Sequence, residues 1–167
     1  MSSKLGCCTV NNIFGTPLKY AVVIVGICSI VIAAIALFAS LGTILSIANK
    51  ELVYNSNPVN AINMIFALFC TSTSSYQAVI SILLLQYGRW RKGSPFILSL
   101  WFVSHVVLVV LYTFMFLART IVCFHCGHPM QSLFTFVGGC FYAGVFIYFC
   151  AIINSYQSII EPDTIYY

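Results

Sequence analysis

Residues 88–119 read GRWRKGSPFILSLWFVSHVVLVVLYTFMFLAR. Three cations, Arg89, Arg91 and Lys92, stand at the start, Gly93-Ser94-Pro95 follows, and the next charge is Arg119. A helix gains 1.5 Å per residue, so about 20 apolar residues cross a hydrocarbon core of roughly 30 Å, and 93–118 exceeds that length. A charge at the centre of such a helix costs roughly 2.5–3.5 kcal/mol. The positions of the charges are therefore expected to mark where the chain leaves a bilayer.

The same reading extends in both directions. The 167 residues hold seven Lys and Arg and three Asp and Glu, and they leave 20–49, 52–88, 93–118 and 120–160 uncharged. Each run is long enough to span, and none alternates apolar with polar as a barrel strand does. The chain is 61% apolar and 6% charged, whereas soluble domains are about a quarter charged. These patterns predict an all-α, integral membrane four-helix bundle of left-handed packing, with helices at about 20–47, 61–87, 96–117 and 133–153. An amino tail, 1–19, and a carboxyl tail, 154–167, flank the bundle at 20–153. Ala34-Ile35-Ala36 has the form of a signal cleavage site, but the apolar run continues to Ile47, past a signal's 7–15 apolar residues, so the first helix is expected to be retained.

The connections carry turn chemistry. Asn55-Ser56-Asn57-Pro58 supports a polar loop, Gly93-Ser94-Pro95 a tight hairpin, and Arg119 to Gln131 a third loop. Lys4, Lys19, Arg89, Arg91 and Lys92 stand against Lys50 and Arg119 on the other side. Cations stay on the cytoplasmic side, so both tails and the Arg89, Arg91, Lys92 turn are expected in the cytosol.

Eight cysteines fall into three settings. Cys28, Cys70, Cys140 and Cys150 lie within helices and read as small apolar packing residues. Cys7 and Cys8, in a reducing compartment close to the membrane, read as palmitate acceptors or as free thiols. Cys123 and Cys126 lie on the opposite, oxidising side and read as a disulfide or as two loop thiols. With His125 and His128 they lack the spaced pairs of a zinc site, so no metal is expected.

His105 lies at membrane depth, but the spans contain no Asp or Glu to share a proton relay; a neutral imidazole bonded to Ser104, another helix or backbone is the simpler reading. Thr71-Ser72-Thr73-Ser74-Ser75, at 100° per residue, wraps its whole helix and does not line one side of a pore. Back-bonding to helix carbonyls and close helix contact account for it. Gly139-x-x-x-Ala143, Ser29-x-x-x-Ala33 and Ala36-x-x-x-Ser40 have the spacing of close-packed helices, inside the bundle or in a homo-oligomer. In the carboxyl tail, Ile165, Tyr166 and Tyr167 have the pattern of a PDZ ligand. Tyr156-Gln157-Ser158-Ile159 has the form of a tyrosine sorting signal. No metalloprotease helix, nucleophile elbow or phosphate loop is present, so no enzyme activity, cofactor or nucleic-acid partner is expected.

The four-span layout, Cys7-Cys8 before the first helix, the short basic turn and Ile153-Asn154-Ser155-Tyr156 after the last helix together resemble the small arthropod four-span proteins of the pasiflora type. That group is distantly similar to the lysosome-associated four-span transmembrane proteins. The resemblance implies a component of septate junctions, the paracellular barriers of insect epithelia and glia, that depends on other junction proteins. The lysosomal group carries Pro-Pro-x-Tyr tail motifs, where this chain has only Pro162 and Tyr166. Claudins carry a Trp and two Cys in a long first outer loop, and Lys50 to Asn60 contains neither. Tetraspanins insert a large Cys-Cys-Gly domain where this chain has only a short loop.

The expectation is a non-enzymatic structural or assembly component of a lateral plasma-membrane junction. Its partners would be membrane lipid, other junctional membrane proteins and a cytoplasmic PDZ scaffold. The alternative is an endosomal or lysosomal trafficking adaptor or transporter accessory in the late endosome or lysosome membrane.

Overall fold

The computed structural model describes residues 17–49, 58–90 and 96–160. They form four helices: α1 Leu18–Asn49, α2 Pro58–Trp90, α3 Phe96–His125 and α4 Pro129–Ile160. All four are long and apolar enough to cross a membrane. At 1.5 Å per residue they run about 45–50 Å, the depth of hydrocarbon plus headgroups.

The helices close a ring in chain order. α1 packs on α2 and α4, and α3 packs on α2 and α4, while the diagonal pairs make no backbone approach. Close approach is allowed by glycine where helices meet. A Cβ on Gly26 would lie 3.4 Å from the Leu85 backbone, so α1 and α2 are nearly in backbone contact there. On α4, a Cβ on Gly139 would lie 2.8 Å from Cγ of Phe116 on α3, closer than packed carbons come. The Gly139-x-x-x-Ala143 pair thus turns its glycine inward, toward α3.

The core has two parts. Toward the Arg89 end of α2, all four helices contribute: Val22 and Val25, Ile80 and Leu84, Leu98 and Trp101, Ile152 and Ile153. Toward the other end, Cys70, Leu108 and Tyr112 are joined by Phe66, Phe69, Phe116 and Tyr142, and no α1 side chain belongs to the cluster. Outward faces are large and apolar; Phe38, Phe114, Phe134 and Phe141 are 68–74% exposed. Such a surface suits hydrocarbon and would be an aggregation liability in water.

The helices run further than charge placement suggests. α3 continues past Leu117 to His125 and α4 begins at Pro129, so the expected loop from Arg119 to Gln131 shrinks to Cys126, Gly127 and His128. The reason is local. Gly127 takes φ +79°, His128 N–H donates to the Cys123 carbonyl at 2.9 Å, and Gly127 N–H donates to the Phe124 carbonyl at 3.2 Å. This is a Schellman stop, and Pro129 occupies the first turn of the next helix, where its missing N–H costs nothing. Ser132 Oγ donates to the Thr120 carbonyl at 2.9 Å and ties the two helix ends together.

At the far end, α4 continues through 154–160, past the boundary expected at 153 and into the expected carboxyl tail. Gln157 Nε2 donates to Ser99 Oγ at 2.7 Å, and Tyr156 and Ile160 pack on the core. These contacts hold polar residues in helix that a hydropathy boundary excludes.

Candidate functional site: a polar seam along α2

The bundle's chemistry lies between helices, on the face of α2 that meets its neighbours. Ser74, Gln77 and Ser81 are at most 1% exposed and fall at i, i+3 and i+7, one face of a helix. Along this face and its flanks, α2 bonds to each of the other helices.

Toward α1, Thr71 Oγ1 donates to Ser40 Oγ at 2.9 Å, sharing its proton with the Ala67 carbonyl. Toward α3, Thr73 Oγ1 lies 2.6 Å from the Tyr112 hydroxyl. Thr73 already donates to the Phe69 carbonyl at 2.7 Å, so Tyr112 is the donor of the interhelical bond. Further along, the Tyr76 hydroxyl and Ser104 Oγ are 3.0 Å apart, and Trp101 Nε1 donates to Ser81 Oγ at 3.3 Å. Toward α4, the Tyr142 hydroxyl donates to Gln77 Oε1 at 3.3 Å. At the end of the seam away from Arg89, Arg119 Nε donates to Asn63 Oδ1 at 3.0 Å, and its guanidinium sits 4.7 Å from the Phe66 ring centre. That is a hydrogen bond plus a cation–π contact.

An aromatic stack backs the seam. The His105 ring lies 3.8 Å from Trp101 and 5.4 Å from Phe146, nearly parallel to both. Tyr142 continues the column, 4.6 Å from Phe146 and 4.6 Å from Tyr112. His105 is fully buried, and its Nδ1 is 2.9 Å from the Trp101 carbonyl. A carbonyl only accepts, so Nδ1 carries the proton and Nε2 presents a lone pair. The expected hydrogen bond of His105 thus goes to backbone one turn earlier, and Ser104 is taken by Tyr76.

Thr71, Ser72, Thr73 and Ser75 each donate to a carbonyl three or four residues back. Thr71, Thr73 and Ser74 also face other helices, and Ser72 and Ser75 point outward. The run therefore wraps the helix, with its inward members used for helix pairing.

The remaining sequence-derived sites separate. Cys123 is buried and Cys126 half-buried, and both are free thiols, as are Cys28, Cys70, Cys140 and Cys150. His125 and His128 are exposed, and among the described residues no group of three metal-ligating side chains comes together. Tyr156 lies in helix and packs on the core, while Ile159 is exposed, so the two positions of the expected sorting signal are helical and face different ways. Arg89 is exposed at the end of α2. Cys7, Cys8, Arg91, Lys92, Ile165, Tyr166 and Tyr167 lie outside the described residues.

Sequence patterning marks Gln77 only as part of the polar stretch that follows Ser75, and it does not mark Ser81, Tyr112 or Tyr142. The i, i+3, i+7 spacing of Ser74, Gln77 and Ser81 was the available signal, hidden because the five-residue hydroxyl run beside it wraps the helix. Compared with known proteins, the chain matches no family model, no curated protein and no solved structure.

Proposed function

We propose that this chain is a non-enzymatic four-span membrane protein that serves as a structural or assembly component of a septate-type cell junction and its paracellular barrier. One observation carries the reading: the inward polar side chains of α2 bond to other helices, while the outward faces are large and apolar. A bundle closed by its own hydrogen bonds is a plug. What it offers to partners is helix surface, the side of the bundle that membrane proteins use to associate. The layout resemblance to pasiflora-type proteins supplies the junction, and the basic turn would add about 1 kcal/mol per cation on an anionic inner leaflet.

The test is the location of the tagged, intact protein in a polarised arthropod epithelium, followed by depletion. A continuous lateral belt together with leak of a paracellular tracer after depletion is the expected result. Puncta coincident with late endosomes, and an intact barrier after depletion, would overturn the proposal. Deleting residues 163–167 separates tail from helices: retained junctional localisation assigns the anchoring to the bundle.

A further inference from the structure

Two fully buried side chains in the middle of the seam each keep one polar atom that meets no partner among the described residues: Gln77 Nε2 and His105 Nε2. They are complementary. Gln77 Nε2 is a donor, and His105 Nε2 is an acceptor because Nδ1 holds the proton against the Trp101 carbonyl.

They also share a level. Antiparallel α2 and α3 are registered by Trp101 on Ser81 and by Arg119 on Asn63, and stepping four residues from the first pair brings His105 opposite Gln77. The two are joined on the α4 side by one turn of helix, since Tyr142 bonds Gln77 and Phe146 stacks on His105. Beside Gln77 on the same face of α2, Ser74 and Ser81 are buried and small, and Ser104, next to His105 in the chain, is buried and small as well.

We infer that Gln77 and His105 hold one internal water between α2 and α3, accepting from the Gln77 amide and donating to His105 Nε2. A buried donor or acceptor left unmade costs about 1–3 kcal/mol, and buried waters in proteins characteristically meet such groups. No direct bond does so here, because each atom's own side chain is held elsewhere, Gln77 by Tyr142 and His105 by Trp101 and the ring stack. The water is a ligand of the bundle, seated between α2 and α3.

The test is water-edited solid-state nitrogen NMR of the full chain in phosphatidylcholine bilayers. The sequence has three histidines, and replacing the exposed pair, His125→Gln and His128→Gln, leaves His105 as the only imidazole. The expected spectrum is an Nδ1–H imidazole whose Nε2 is shifted as a hydrogen-bond acceptor and receives magnetisation from water. Gln77→Met, close in volume, should abolish the transfer while leaving the tautomer unchanged. An Nε2 with no hydrogen bond overturns the inference, as does a hydrogen-bonded Nε2 without transfer from water, which would signify direct contact with Gln77. Transfer that survives Gln77→Met would remove Gln77 from the site and overturn it equally. The first two outcomes need no variant at Gln77, so the result does not depend on that variant folding.

Discussion

Adding one methyl group at Gly139 should unseat the α3–α4 contact. The new Cβ would stand 2.8 Å from Phe116 Cγ and 2.9 Å from Phe116 Cβ, so those atoms must retreat by about 0.6 Å to reach the 3.4 Å at which packing becomes ordinary. Rotation of the ring does not relieve the clash, because one of the two atoms is the Cβ itself. Retreat is opposed from behind: Phe116 meets Phe66 edge-on at 5.1 Å, and Phe66 lies under the Arg119 guanidinium. Overpacking of this kind costs about 1–3 kcal/mol, and Gly139→Ala should carry that cost relative to the same change made in open space. The neighbouring Gly138→Ala is the control, since its Cβ meets nothing within 4 Å. Replacing glycine by alanine in a helix interior gains up to about 1 kcal/mol. Both variants share that gain, so Gly139→Ala should be less stable than Gly138→Ala by about 1–3 kcal/mol in reversible unfolding of the protein in mixed micelles. A Gly139→Ala protein as stable as Gly138→Ala would refute the packing reasoning and place the closest approach of α3 and α4 elsewhere.

Other consequences are smaller. Tyr112→Phe removes the hydroxyl shared with Thr73 and Ser74; interhelical bonds in membrane bundles average about 0.6 and reach about 1.7 kcal/mol, and the same unfolding assay should read a loss in that range, with Tyr148→Phe, on an exposed ring, near zero. Gly127→Ala should cost about 1 kcal/mol through backbone strain alone, as its φ is +79° and no atom lies within 4 Å of the added Cβ; Gly127→Asn, better tolerated in the left-handed region, should recover part of it in the same titration. Thiol reactivity separates the two cysteines at the end of α3: half-buried Cys126, in the turn, should label with a maleimide in the folded protein and buried Cys123, in the helix, only on unfolding. Labelling of both only after reduction would establish a disulfide between them.

Much of the architecture follows from charge placement. A chain with no charge over 93–118 or 120–160 has few ways to satisfy its backbone in hydrocarbon except by helix, and the number of spans follows from lengths alone. Turn residues added the hairpins, whereas the left-handed stop at Gly127 that ends α3 is a finding of the structure. Charges bound spans only from outside, however, so the true ends of α3 and α4 were not legible. Arg119 continues a helix because Asn63 and Phe66, some 56 residues away, accept its hydrogen bond and cover its charge. Gln157 is helical because Ser99 lies beside it.

The seam was legible in kind but not in pairing. Composition marked α2 as the most polar helix, and periodicity showed that its hydroxyl run could not line a pore. Which hydroxyl meets which helix depends on axial register and rotation, and these are decided by contacts such as Gly139 on Phe116 and Gly26 on Leu85. A hydropathy pattern repeats every few residues and is nearly unchanged by a shift of one turn, whereas a hydrogen bond fails with a displacement of about 1 Å. The four apolar spans were therefore determined by the sequence alone. The tertiary structure alone decided that Tyr112, Tyr142, Trp101 and His105 converge on α2, because convergence is a property of register.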